Sequence, residues 1–198
     1  MLAVSCSAEP PPPTCFLGDR SRAPELRLLM RTPAGDAVEI TESSSVALIQ
    51  PPQGGKVIFV GPKVRNIDGC PVDITTTLKD PCSGTIVALE KRPVVLTEAD
   101  GWLIPERPQE ISNYSKLGAC PKAGISNNIV GEWYVLKLRL EDKSGLIAEA
   151  SARVMPICSE PSLKDRCLCE CDQQFYPLGG LCDPRLHLPG SHSSTCSD

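Results

Sequence analysis

Alternation in steps of two dominates the chain, and it is clearest between Trp133 and Ile157. There Tyr134, Leu136, Leu138 and Leu140 fall on one side while Val135, Lys137, Arg139 and Glu141 fall on the other. This is the pattern of a strand with one dry and one wet face. Asp142-Lys143-Ser144-Gly145 then supplies a turn with glycine where a positive φ is needed. Ala148, Ala150, Ala152 and Val154 answer as the return strand, alternating with Glu149, Ser151 and Arg153. Small alanines opposite large leucines predict a closely packed facing sheet.

The same period recurs upstream. Val72, Ile74, Thr76 and Leu78 alternate with Asp73, Thr75, Thr77 and Lys79. Lys56 to Asn66 puts Ile58, Val60 and Val64 on one face, with Gly61-Pro62 predicting a bulge or an edge position, because proline has no N–H for a ladder. Glu25 to Arg31 predicts a first strand ending at the turn Pro33-Ala34-Gly35-Asp36. Ile86 to Leu89 and Val94 to Leu96 predict shorter strands separated by Lys91-Arg92-Pro93. From Gly101 to Asn128 the pattern fades, and mostly loop is expected.

Composition agrees with an all-β chain. Of 198 residues 41% are hydrophobic and only 4% aromatic, while Pro reaches 20 and Gly 15, so one core of Val, Leu, Ile and Ala broken by many turns is expected. The net charge is -4 with the signs interspersed. No basic footprint for nucleic acid or anionic lipid results, and neither partner is expected. No run approaches the ~20 apolar residues of a membrane-spanning helix.

Eleven cysteines spread along the chain suit export to an oxidising compartment rather than a reduced cytosol. Met1-Leu2-Ala3-Val4-Ser5-Cys6 resembles the end of a bacterial lipoprotein signal, which implies lipid attachment at Cys6 and a place in the cell envelope, in the outer membrane or periplasm. Its apolar stretch is too short for a whole signal, so either translation starts upstream or the likeness is accidental and Cys6 is a free tail cysteine. Setting Cys6 aside leaves ten candidates for five bridges: Cys15, Cys70, Cys82, Cys120, Cys158, Cys167, Cys169, Cys171, Cys182 and Cys196. Pro10 to Pro13 predicts an extended tether.

Cys70 and Cys82 flank a strand whose ends lie roughly 30 Å apart at about 3.3 Å per residue, so they are expected to bond elsewhere than to each other. The hairpin motif Tyr-x-Leu-x-Leu-x-Leu-x-Asp-x-x-Gly-x-x-Ala-x-Ala resembles the last strands of immunoglobulin-like modules of bacterial surface proteins, PKD-type and cadherin-like domains included. Asn66-Ile67-Asp68-Gly69 resembles an earlier turn of the same modules. The resemblance implies an immunoglobulin-like antiparallel β-sandwich with a disulfide-rich C-terminal extension. In such an order the final strand runs parallel to Val72–Lys79, which implies that Cys82 pairs with Cys158 or Cys120. The wider layout, with Gly69-Cys70-Pro71 and Cys167-Leu168-Cys169-Glu170-Cys171, is similar to predicted lipoproteins of predatory soil bacteria; this implies a location and no activity. Cys169-Glu170-Cys171 followed by Tyr176, Gly179, Gly180 and Cys182 resembles the second half of an EGF-like module, which implies a bridge between Cys171 and Cys182.

The expected organisation is a lipid-attachment and proline-rich tether over 1–23, a sandwich over 24–158, a separate cysteine-rich appendage over 159–184 and a disordered tail over 185–198. Both histidines, His187 and His192, fall in that tail, so a triad within the body is not expected, nor is an enzyme. Gln53-Gly54-Gly55-Lys56 departs from a phosphate loop and predicts a turn. Glu98 with Asp100, and Glu141 with Asp142, predict solvated turns. Asp68, Asp73 and Asp80 lack a calcium-loop spacing. Asn113-Tyr114-Ser115 fits the glycosylation tripeptide but would be idle in a bacterium. The Cys167-x-Cys169-x-Cys171 spacing departs from paired zinc ligands, so no metal or cofactor is expected. The reading is a non-catalytic envelope module with a protein or glycan ligand and a membrane link only through lipid; the alternative is a metal or redox role for the Cys167–Cys182 cluster.

Overall fold

A computed structural model describes residues 15–105, 111–120 and 129–172 of the chain. Cys6, the 10–13 proline run, Cys182, Cys196, both histidines and the expected 185–198 tail lie outside the described residues.

Period-two patterning becomes strands at most places named above, although Val94 ends one strand and Leu96 begins the next. They are β1 (Phe16–Leu17), β2 (Glu25–Arg31), β3 (Ala37–Ile40), β4 (Ser44–Ala47), β5 (Lys56–Arg65), β6 (Ile67–Asp68) and β7 (Val72–Lys79) in the first half. The second half holds β8 (Ile86–Val94), β9 (Leu96–Ala99), β10 (Trp102–Pro105), β11 (Ser115–Cys120), β12 (Tyr134–Glu141), β13 (Ile147–Ile157) and one short helix, α1 (Lys164–Asp172). The chain is all-β. One sheet runs β4-β13-β12-β7-β8; the other runs β3-β2-β5-β10-β9 with β11 also on β5; β1 and β6 form a separate two-stranded ribbon. Every pairing is antiparallel except β13 with β4, which is parallel.

The two large sheets pack face to face around one core. Leu28, Ile58, Val60 and Val64 from one sheet meet Ile74, Leu78, Leu136, Leu138, Leu140 and Val154 from the other. The leucine-on-alanine ladder holds in register, with Leu136 opposite Ala152, Leu138 opposite Ala150 and Leu140 opposite Ala148. Gly145 closes the hairpin at φ 82, and the outward residues Lys137 and Glu149 form an ion pair of 2.8 Å on the wet face.

Gly61-Pro62 sits neither in a bulge nor on an edge. β5 is central, continuously registered with β2 through Leu29↔Gly61 and Leu28↔Pro62. On its other side β11 pairs with Lys56–Val60 and β10 only with Val64, so the Gly61-Pro62-Lys63 stretch falls in the gap between two partners. A proline is tolerated where no ladder partner waits for its N–H. Gly61 is needed there for space: a Cβ would come within 2.6 Å of Pro105 Cγ and 3.0 Å of the Tyr114 ring.

Three expectations change. Among the described residues of the 101–128 stretch, expected to be mostly loop, Trp102 to Pro105 and Ser115 to Cys120 form β10 and β11, which complete the sheet beside β5. Ile86 to Val94 is one strand through Arg92-Pro93, which an edge position accommodates. The folded body also begins before Pro24, since Phe16 and Leu17 pair with Asp68 and Ile67 and Cys15 is bonded to Cys70.

Candidate functional site

The chemistry gathers at one pole of the sandwich, where β5 begins and β11 and β13 end. Lys56 lies in step with Ile58 and Val60 along β5, so the strand's own pleat turns it inward. Its residue is 2% exposed. The Nζ donates to Gln50 Oε1 at 2.7 Å and forms an ion pair with Glu170 Oε2 at 2.8 Å. Glu170 is equally buried on α1, and its Oε1 accepts from Arg166 Nε, one helical turn earlier, at 2.6 Å. Burial alone would push the Glu170 carboxyl up; the bonds from Lys56 and Arg166 outweigh it and hold it below the ordinary glutamate value.

Two disulfides clamp the same helix. Cys120, the last residue of β11, is bonded to Cys171, and Cys158, just past β13, is bonded to Cys167. Cys167 and Cys171 are four residues apart and share one face of α1. The Sγ atoms of Cys158, Cys167 and Cys171 all lie within 4.8 Å of one another, and the three residues are buried. Cys82 and Cys169 are also disulfide-bonded.

These bridges correct the expected partners. Cys82 lies at the same pole as Cys158, as the parallel run of β7 and β13 on either side of β12 requires. It bonds neither Cys158 nor Cys120, because the nine-residue step from Cys158 to Cys167 folds α1 back over that pole and takes both partners. Cys171 bonds Cys120 rather than Cys182, so the EGF-like connection does not form. Residues 164–172 are therefore docked on the sandwich and not a separate appendage. Cys70 and Cys82 do bond elsewhere than to each other, Cys70 with Cys15 across 55 residues.

The opposite pole carries a cleft of about 330 Å³ whose lining includes Phe16, Arg20, Asn66, Asp68, Asp142 and Lys143. Asp142 is buried, which raises its carboxyl. Hydrogen bonds from the Ser144 hydroxyl, the Leu146 and Ser144 N–H groups and the Asp68 N–H overcome that and lower it. Asp142 thus fastens its own turn and ties it to Asp68 of β6. Asp73 lies near this end of β7, whereas Asp80 lies beyond its other end and accepts from the Cys82 and Ser83 N–H groups, so the three aspartates considered together are not brought together. Glu98 accepts from the Gly101 N–H in its own turn. Gly54 and Gly55 turn at φ 86 and 75 ahead of β5. Within Asn113-Tyr114-Ser115, Tyr114 is buried and the Ser115 hydroxyl donates to Glu90 at 2.6 Å.

A third feature lies on the outer face of the β2–β5–β10 sheet. The Trp102 ring is faced by Arg65 at 4.6 Å, Arg27 at 4.8 Å and Lys63 at 5.2 Å. Glu25 pairs with Arg65 and Arg27, and Glu39 with Arg27 and Lys63. Among the described residues no helix is long and apolar enough to cross a membrane. No protein-family model and no curated protein matches the chain.

The inward lysine was legible and overlooked: a strand pattern that begins Lys-Val-Ile-Phe-Val places the lysine in the core row, where it requires a buried acid. Its partner carried no such sign, since Glu170 lies over a hundred residues away in a stretch without apolar period.

Proposed function

We propose that the chain is a non-catalytic module of the cell envelope, an immunoglobulin-like sandwich of the PKD or cadherin-like kind, held at a membrane by a lipid on Cys6. The observation that carries this reading is the set of disulfides fastening both poles, Cys15–Cys70 at one and Cys120–Cys171 with Cys158–Cys167 at the other. Such cross-links persist in an oxidising extracellular or periplasmic space. The order β4-β13-β12-β7-β8, ending in a long hairpin, supports the immunoglobulin-like assignment.

The Trp102 face supports a binding role. It presents a flat aromatic ring with guanidinium donors and carboxylate acceptors around it, groups that contact a protein surface or a glycan. Expression of the full-length chain with a radiolabelled fatty acid tests the tether. The wild type takes up label and enters the detergent phase, and Cys6→Ser does neither; an unlabelled, aqueous wild type overturns the lipid link. Lipid-free chain carrying Trp102→Ala loses binding to isolated envelope fractions, whereas undiminished binding removes this face from the reading.

A further inference from the structure

Four sulfurs meet where β11, β13 and α1 converge. Those of Cys158, Cys167 and Cys171 lie within 4.8 Å of one another, and that of Cys120 is bonded to the Cys171 sulfur. A tetrahedral zinc with Zn–S bonds of about 2.3 Å needs its sulfurs roughly 3.8 Å apart. The trio is therefore gathered closely enough to surround one ion once the bond between Cys158 and Cys167 is opened and those two sulfurs move apart, on a scaffold of two strand ends and one helix face. All four residues are at most 8% exposed. Cys169 stays outside the group: at two residues from both Cys167 and Cys171 it projects from the other side of α1, and it is bonded in a disulfide.

We infer that this cluster is a redox-gated site for a soft divalent cation such as Zn²⁺. In the oxidised chain the sulfurs are spent in the Cys120–Cys171 and Cys158–Cys167 bridges. Two equivalents of a dithiol reductant open them; each equivalent delivers two electrons and two protons and leaves as its own disulfide. The four thiols then lose four protons to solvent as the ion binds, forming four metal–thiolate bonds. The metal replaces the covalent staples, so α1 stays docked when the bridges are open. The doubly negative centre is flanked along the chain by Glu170, whose two cations, Lys56 and Arg166, supply compensating positive charge. The inference stands apart from the envelope reading and survives or fails without it.

The test uses the full chain reduced anaerobically with dithiothreitol, freed of reductant and titrated with Co²⁺ as the probe, then with Zn²⁺. One Co²⁺ per chain is expected, with the thiolate charge-transfer and visible bands of a four-sulfur tetrahedral site, displaced by one equivalent of Zn²⁺. Cys158→Ser and Cys171→Ser lose that spectrum and weaken binding at least tenfold, Cys158→His restores binding with a three-sulfur, one-nitrogen spectrum, and Cys70→Ser leaves the site intact. The inference is overturned if the reduced wild type takes up no stoichiometric Co²⁺, or if the Cys158 and Cys171 variants bind it as the wild type does.

Discussion

Cutting the buried ion pair from one side gives the sharpest test of how α1 is held. In Glu170→Ala the Lys56 ammonium, 2% exposed, keeps only Gln50 as a partner at 2.7 Å. Breaking a buried pair by removing one member costs about 3–5 kcal/mol, because the survivor remains a desolvated, uncompensated charge. At roughly 2–4 °C per kcal/mol for a chain of this size, the melting temperature falls by about 6–20 °C. Removing both charges behaves differently. Lys56→Met with Glu170→Leu relieves the desolvation on each side and returns stability to within about 1 kcal/mol of the wild type. Guanidinium unfolding under non-reducing conditions, followed by Trp102 and Trp133 fluorescence, measures all three proteins. The reasoning is refuted if Glu170→Ala lies within 1 kcal/mol of the wild type, or if the double variant is as unstable as the single one.

Further outcomes follow from the same geometry. Gly61→Ala forces a Cβ against Pro105 and Tyr114 and costs about 1–3 kcal/mol by overpacking, read in the same unfolding assay. Leu138→Ala, at a fully buried position facing Ala150, costs about 2–5 kcal/mol. Replacing both Cys15 and Cys70 with Ser releases a 55-residue loop and loses about 4 kcal/mol by chain entropy, visible as a lower denaturation midpoint. Glu170 and Asp142 both have carboxyls held below their ordinary values, so the stability they confer is complete above those values and drains away as pH falls through the folded-state ones. Acid titration of stability should steepen below about pH 4.5, where unfolded glutamate takes up protons, and Glu170→Gln should flatten that limb. Tyr134, buried and near Asp80 and Glu132, is pushed up to about 12, so ultraviolet difference titration should find a phenol still protonated at pH 11.

The strands that carry one dry face were readable because period two is a direct imprint of burial. β7, β12 and β13 come straight from their alternation, and so does the inward row Ile58, Val60 and Val64 of β5. β10 and β11 escaped because they are short, at four and six residues, and their outward positions carry Trp102, Ile104 and Gly118 rather than a clean polar row. The clamp at the helix escaped for another reason. Strand geometry excludes a Cys70–Cys82 bond, but which sulfur meets which depends on a nine-residue step after Cys158 that no pattern specifies. Resemblance to immunoglobulin-like modules placed Cys82 and Cys158 at one pole but paired Cys82 with a sulfur that α1 takes, and the EGF-like likeness gave Cys171 to Cys182 where Cys120 holds it.

Specific bridges staple the sandwich at both poles, and disulfide mapping of non-reduced, alkylated protein from the native host tests that arrangement most directly. Peptides joining Cys15 to Cys70, Cys120 to Cys171 and Cys158 to Cys167 are predicted, with no alkylation at these six positions. Full alkylation of those cysteines, or a Cys82–Cys158 or Cys171–Cys182 peptide, would contradict it.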